Sequence, residues 1–396
     1  MRAGRREEGA VLVHVAIGLV VLLAFSAFAI DYGILWVSRS QAQNAADAAA
    51  LAAATALSYD NYEDRTTTGP AVRNAISVAA QNVVWGQAPS ATTVDVSFPT
   101  CPANVNPPAD GCVQVDVYRN QARGNPLPTF FAQLVGVSNQ GVRATAIAQV
   151  TSGNAVKCLK PWAVADKWNE QRTDKAVADP GAWTPSSTFD RFTKKGDLLV
   201  APPALDSYTA GVDGFRPYDA NGLKSSDYGL EITLKFGNPN DPSQLTSGWF
   251  QPLAFGGTGG SDYRTNIASC APGTYTLGQT ITVEPGDMIG PTKQGVDDLV
   301  AKDPGATWDA TNRTVINSAY SVSPRVVPVP LFDVQEFMTR AESGRTYVTF
   351  TNIMGFFVEA MVGNDVKGRL VAIPGDMVTT AGGNVHSFIQ VIRLVR

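Results

Sequence analysis

The sequence predicts an α+β chain: a long N-terminal transmembrane helix, a small antiparallel sheet behind it, and a β-rich, sandwich-like region over the remainder. Three observations carry this. Residues Ala10 to Ile30 read AVLVHVAIGLVVLLAFSAFAI, an apolar run that at helical rise crosses the roughly 30 Å hydrocarbon core of a bilayer. From Tyr32 to Leu57 no proline interrupts the chain and alanine dominates from Ala42 onward, so helix propensity stays favourable well beyond the lipid. After Thr92, short runs alternate apolar and polar residues between turns, in a chain with 36 glycines, 25 prolines and 17% charged residues. That composition favours strands and loops over helix bundles.

Taken in order, residues 1–9 form a basic N-terminus with Arg2, Arg5 and Arg6, whereas the first charge after the apolar run is Asp31. The positive-inside tendency keeps this N-terminus cytoplasmic, runs residues 10–30 through the membrane and exports the bulk. A cleaved secretory signal is the competing reading, and Ser26-Ala27-Phe28-Ala29 offers small residues for it. Against it, the run exceeds the usual 7–15-residue signal core, and helix-favouring sequence continues past it without a turn. Beyond the span, Ala42, Ala46 and Ala50 form one ridge at four-residue spacing, and Ala45, Ala49 and Ala53 form the next. Side chains at that spacing share a helix face, and alanines there let a neighbouring backbone approach closely. These six alanines are the predicted helix-packing interface, with oligomerisation through this helix as the expectation.

Val72, Ile76, Ala79 and Val83 repeat at helical spacing within Ala71–Trp85, which predicts a second helix. Thr92–Phe98 and Cys112–Arg119 alternate as half-buried strands, Pro128–Gly136 reads as a short helix, and Gly141–Val150 as a further strand. Thr151-Ser152-Gly153-Asn154 is a turn-rich joint. It separates an α+β region at 31–152 from a β-rich extracytoplasmic domain at 153–396. In the latter, strands are expected at Asp197–Pro202, Leu230–Phe236, Gln279–Pro285, Ser321–Asp333, Arg345–Val362, RLVAIPG and SFIQVIRLV, with a helix at Val296–Asp303. Trp162 and Trp168 are expected to fill a core.

The stretch EGAVLVHVAIGLVVLLAFSAFAIDYG followed by SRSQAQNAADAAALAAATAL, and within it the phrase from Gln43 to Ala52, resembles the N-terminal region of TadG-like proteins of the tight-adherence (Flp) pilus assembly systems. A weaker similarity continues through Phe130–Gly136, Val142–Val150, PWAVAD, Val283–Gly295 and RVVPVPLFD. The resemblance implies a pilin-like, membrane-anchored structural or assembly component in a bacterial inner membrane. Its implied partners are other pilus or assembly subunits and the lipid bilayer. Prepilins of this kind are cut after a glycine and carry glutamate at the fifth mature position. Gly9 and Ala10 are the candidate processing site here, but the fifth residue after Gly9 is His14. Some relatives add a von Willebrand A-like domain with a D-x-S-x-S motif, and Asp95-Val96-Ser97-Phe98-Pro99 departs from it at the last position.

Four cysteines, Cys101, Cys112, Cys158 and Cys270, all follow the span. An even number in an exported region points to disulfides. Of the three pairings open to them, Cys101–Cys112 with Cys158–Cys270 is favoured, because the first would close the loop CPANVNPPADGC. No C-x-x-C occurs and His386 is remote in sequence, so zinc has no ligand set. There is no P-loop and no G-x-S-x-G turn, and no cofactor is expected. A net charge of −4 with no basic patch in the exported part gives nucleic acid nothing to bind. Glu231, Glu284, Asp287 and Glu359 lie near strands and could pair for acid/base work. Oxygen-rich turns at Asp213–Gly222 and Asn238–Pro242 lack EF-hand spacing. The leading expectation is therefore a non-catalytic protein. The alternatives are an anchored extracytoplasmic hydrolase, or a surface- or sugar-binding β-domain presenting Trp183 or Trp249.

Overall fold

The computed structural model describes residues 4–59, 64–102, 111–173, 177–178, 182–199, 205–218, 224–238, 245–286, 288–340, 346–376 and 387–395. The chain divides into two compact units, one made of residues 1–57, 64–150 and 392–396, the other of 58–63 and 151–391.

In the first unit, helix α1 runs unbroken over Gly4–Tyr59. It is the one helix among the described residues long and apolar enough to cross a membrane, with a mean hydropathy of 2.6 in its apolar window. Every described side chain from Val11 to Ile30 is exposed. At Asp31 the environment changes. Asp31, Ile34, Ser38, Ala42, Ala45, Ala46, Ala49, Ala50 and Ala53 are buried, a three- and four-residue recurrence that puts them along one side of the helix. Helix α2, Pro70–Ala80, begins on a proline in its first turn and buries Ala71, Val72, Ala75 and Ala79. Strands β1 (Val94–Ser97), β2 (Cys112–Arg119) and β3 (Val142–Ser152) form an antiparallel sheet in that order. Val113, Val115 and Val117 stand opposite Ala148, Ala146 and Ala144, and all six are buried. The buried faces of the helices and of the sheet are thus built largely of alanine and valine. A buried methyl contributes only about 0.8 kcal/mol, so the hold depends on whole rows of them.

The second unit is built on β4 (Trp162–Ala165), β5 (Glu231–Phe236), β6 (Trp249–Pro252), β7 (Thr280–Thr282), β8 (Val326–Phe332), β9 (Tyr347–Val362) and β10 (Asp365–Val371). Their order is β7-β9-β8-β4-β6-β5-β10, and β10 pairs back onto β9. Six strands therefore close into a barrel, with β7 extending β9. The sandwich expected from the sequence is corrected here. The reason is the length of β9, 16 residues, which pairs with β8 from Phe350 to Phe357 and with β10 from Gly355 to Val362. Glycines make that overlap possible. A Cβ on Gly355 would lie 2.2 Å from the carbonyl oxygen of Val371, and one on Gly368 would lie 2.4 Å from that of Phe357.

One core cluster draws on all six barrel strands together with Tyr263 and Ile267 of α3 (Gly260–Ala268) and Val296 and Leu299 of α4 (Ile289–Val300). A second gathers the alternate positions Ala163, Ala165, Trp249, Phe332, Phe350 and Ile353. Strands covered on both faces read as continuous apolar runs, which is why Trp162–Ala165 is buried throughout. Helix α3 was not expected, since GSDYRTNIA has little apolar periodicity. Helix α4 begins seven residues before its expected start (Ile289 against Val296), through the Gly/Pro-containing stretch Ile289–Gly295. There Gly295 lies so close to α3 that a Cβ would meet Ile267 at 2.7 Å. Asp197–Leu199 holds only an isolated bridge, Phe192 to Leu198, instead of a strand; residues 200–202 lie outside the described residues. Strand β11 (Ile389–Val395) pairs at Ile389 and Gln390 with Ile373–Pro374. Its residues from 392 onward belong to the first unit, where Arg393 donates to Oε1 of Gln149 at 3.1 Å.

An aspartate clip and an occupied alanine face

The first unit holds the arrangement that bears on function. Asp31 directly follows the apolar run, and its carboxylate accepts from the backbone N–H groups of Phe130 (2.8 Å), Phe131 (3.0 Å) and Ala132 (2.7 Å). Gln140 adds a side-chain donation to the Asp31 carbonyl at 3.2 Å. These N–H groups open a single 3-10 turn at Ala132–Val135, where they would otherwise lack acceptors. The Phe130 N–H first, then those of Ala132 and Phe131, hold the Asp31 carboxyl below the usual carboxylate range. The loop is thereby fastened to α1 at the first residue where protein covers the helix. Further along, Gln41 accepts from the N–H of Trp85 at 2.8 Å, and Gln43 donates to the carbonyl of Thr145 at 3.1 Å.

The predicted interface residues Ala42, Ala45, Ala46, Ala49, Ala50 and Ala53 are each 0% exposed. They are helix-packing residues of this chain's own first unit. Gly9 and Ala10 lie inside α1, with His14 one turn further on. Asp95 and Ser97 sit on β1, and Asp95 is ion-paired with Arg123. That use as a sheet residue leaves no metal-adhesion loop at this position.

Both favoured disulfides are present, Cys101–Cys112 in the first unit and Cys158–Cys270 in the second, with Cα separations of 5.3 and 4.1 Å. The carboxylates named as acid/base candidates are otherwise engaged. Glu231 and Glu359 come together across β5, β10 and β9, bridged by Arg369 and Lys367, and Glu284 accepts from the N–H of Gly259 at 2.7 Å. Asp287 and His386 lie outside the described residues, as do 219–222 and 239–242 of the two oxygen-rich turns. Among the described residues no three His, Cys, Asp or Glu side chains are placed to hold a metal ion. Trp162 and Trp168 are core residues, and so is Trp249 at 3% exposure, which removes it as a surface platform. Trp183 is half-buried, edge-on to Trp168 and Phe215, with the Lys167 ammonium 5.3 Å from its ring centre.

Among the buried charges that sequence reading passed over are Asp166 and Lys160. Asp166 accepts from the N–H groups of Lys167 and Phe215 at 2.8 and 2.9 Å and from the Tyr208 hydroxyl at 2.8 Å. Burial nevertheless pushes its carboxyl up to about 7. Lys160 reaches the carbonyls of Asn266, Ile267 and Ser269 at the end of α3, and burial, with Lys302 nearby, brings its ammonium down to about 7. Both groups are enclosed by structural partners.

No curated protein and no solved structure matches this chain. Residues 9–56, the apolar stretch and the alanine-faced extension of α1, match the family model Tad, described as putative Flp pilus-assembly TadE/G-like.

Proposed function

We propose that this protein is a non-catalytic, single-span structural or assembly component of a Flp-type pilus or a related surface apparatus in a bacterial inner membrane. Its N-terminus is cytoplasmic, residues 10–30 cross the bilayer, and the rest of the first unit and all of the second lie outside. The observation that carries the reading is the coincidence of the TadE/G-like match with one continuous helix. The first part of that helix is bare and apolar, and the later part is buried in its own unit. Two disulfides support an oxidising location for both units. The alanine ridges hold α1 on its own fold, so association between copies or with other assembly subunits uses the bare stretch of the helix.

The test is fractionation of cells expressing the full chain. The protein is expected in the carbonate-resistant membrane fraction, with added protease digesting the units only from the extracytoplasmic side. Pilus-assembly subunits are expected to co-purify in mild detergent. A freely soluble protein beginning downstream of Ile30 would overturn the anchor, and an intact pilus in cells lacking the chain would overturn the assembly role.

A further inference from the structure

We infer that the loop Thr129–Val137 is a second membrane contact, which seats Phe130, Phe131 and Val137 in the interfacial layer of the outer leaflet beside the helix exit. The inference rests on the reading that residues 10–30 span a bilayer. Given that span, depth follows from hydrogen bonding. Asp31 is the first residue beyond the apolar run, and three consecutive N–H groups of the loop end on its carboxylate. The loop is thus fixed within hydrogen-bond reach of the boundary residue.

What the loop displays at that level is apolar. Phe130 is 57% exposed, Phe131 40% and Val137 48%. On the helix beside them, Phe28, Tyr32 and Trp36 are 67%, 59% and 61% exposed, and Phe28 stacks on Tyr32. These aromatics straddle the point where protein cover begins, which is where interfacial aromatic belts lie. Charge agrees as well: from Gly124 to Val142 the sequence has no Asp, Glu, Lys or Arg, although charged residues flank it at Arg123 and Arg143, each paired with an aspartate. An uncharged loop can enter the headgroup region without desolvating an ion. A second copy of the chain could also cover exposed phenylalanines. Continuity with the bare span and a position at its exit favour lipid.

All four cysteines are in disulfides, so a single introduced cysteine is a unique thiol for an environment-sensitive fluorophore. Phe130→Cys, Phe131→Cys, Leu22→Cys and Tyr320→Cys variants of the full chain would be placed in phosphatidylcholine vesicles carrying nitroxide lipids labelled near the headgroup or deep in the acyl chain. Leu22 reports the span, and Tyr320, 52% exposed in the second unit, reports water. Labels at 130 and 131 should lose about half their emission to the shallow nitroxide and much less to the deep one, while 320 is unaffected. If 22 is quenched but 130 and 131 behave like 320, the loop contact is wrong and the anchor stands. If 22 is not quenched, the span itself fails. If 130 and 131 are shielded from aqueous iodide, insensitive to both nitroxides and self-quenched at high protein density, a second copy covers the loop and the lipid contact is overturned.

Discussion

Two aspartates show how the same side chain is pushed in opposite directions by its surroundings. Asp31 has N–H donors and a lowered proton affinity. The hold it exerts is complete above the ordinary carboxylate range and is lost as pH falls below about 4, through its folded value. Asp31→Asn keeps one acceptor oxygen but removes the charge. Amide exchange at Phe130, Phe131 and Ala132 should rise several-fold in that variant at neutral pH, and unchanged exchange would show that the clip is not what orders the loop. Asp166 is the reverse case. With a folded value near 7 and an unfolded value near 4, the folded state binds the extra proton between those limits. The second unit should therefore lose stability as pH rises from about 4 to 7, by at most about 4 kcal/mol. Asp166→Asn mimics the protonated carboxyl, with Tyr208 accepting from the new amide and donating on to Thr351. Urea midpoints of this variant should vary less over that pH range than those of the parent protein.

At the scale of elements, the alanine face of α1 is a fit of small side chains with no room for larger ones. Ala46 is fully buried, and leucine there adds three carbons to a closed interface. Ala46→Leu should destabilise the first unit by about 1–3 kcal/mol, read as a lower thermal midpoint and faster proteolysis, with membrane insertion unchanged. Weakened crosslinking between copies without any loss of stability would instead assign the ridge to an intersubunit contact. The barrel follows a related logic. Its closure depends on two strand glycines, Gly355 and Gly368, at positions where a Cβ would strike the facing carbonyl.

At the scale of the whole molecule, the chain carries two units, each with its own covalent tie. The Cys158–Cys270 bridge spans 112 residues, so it removes much more freedom from the unfolded chain than the short Cys101–Cys112 closure. Replacing Cys158 and Cys270 by serine should cost the second unit about 4–5 kcal/mol on the chain-entropy account, with a smaller effect on the first unit. Separate urea transitions, followed by aromatic fluorescence and by amide exchange in β2 and β3, distinguish the two. Equal losses in both units would show that they unfold together.

The sequence by itself determined the apolar run and the helix that continues past it, three strands of the first unit to within a few residues, and an even set of cysteines whose favoured pairing the structure holds. These are local properties: an apolar run of bilayer length, helix propensity summed over many residues, strict alternation, and an even set of cysteines around a closable loop. It also marked the alanine rows, because four-residue spacing fixes a shared face. What covers that face was decided only by the tertiary structure, since a row of methyl groups fits its own sheet and a neighbouring helix equally well. The barrel was decided there too. Alternating strands carry no record of whether the last will find the first, and that depends on register and on backbone approach at Gly355 and Gly368. The Asp31 clip joins residues about 100 positions apart. A single carboxylate after an apolar run gives no sign of the three N–H groups that fold back to meet it.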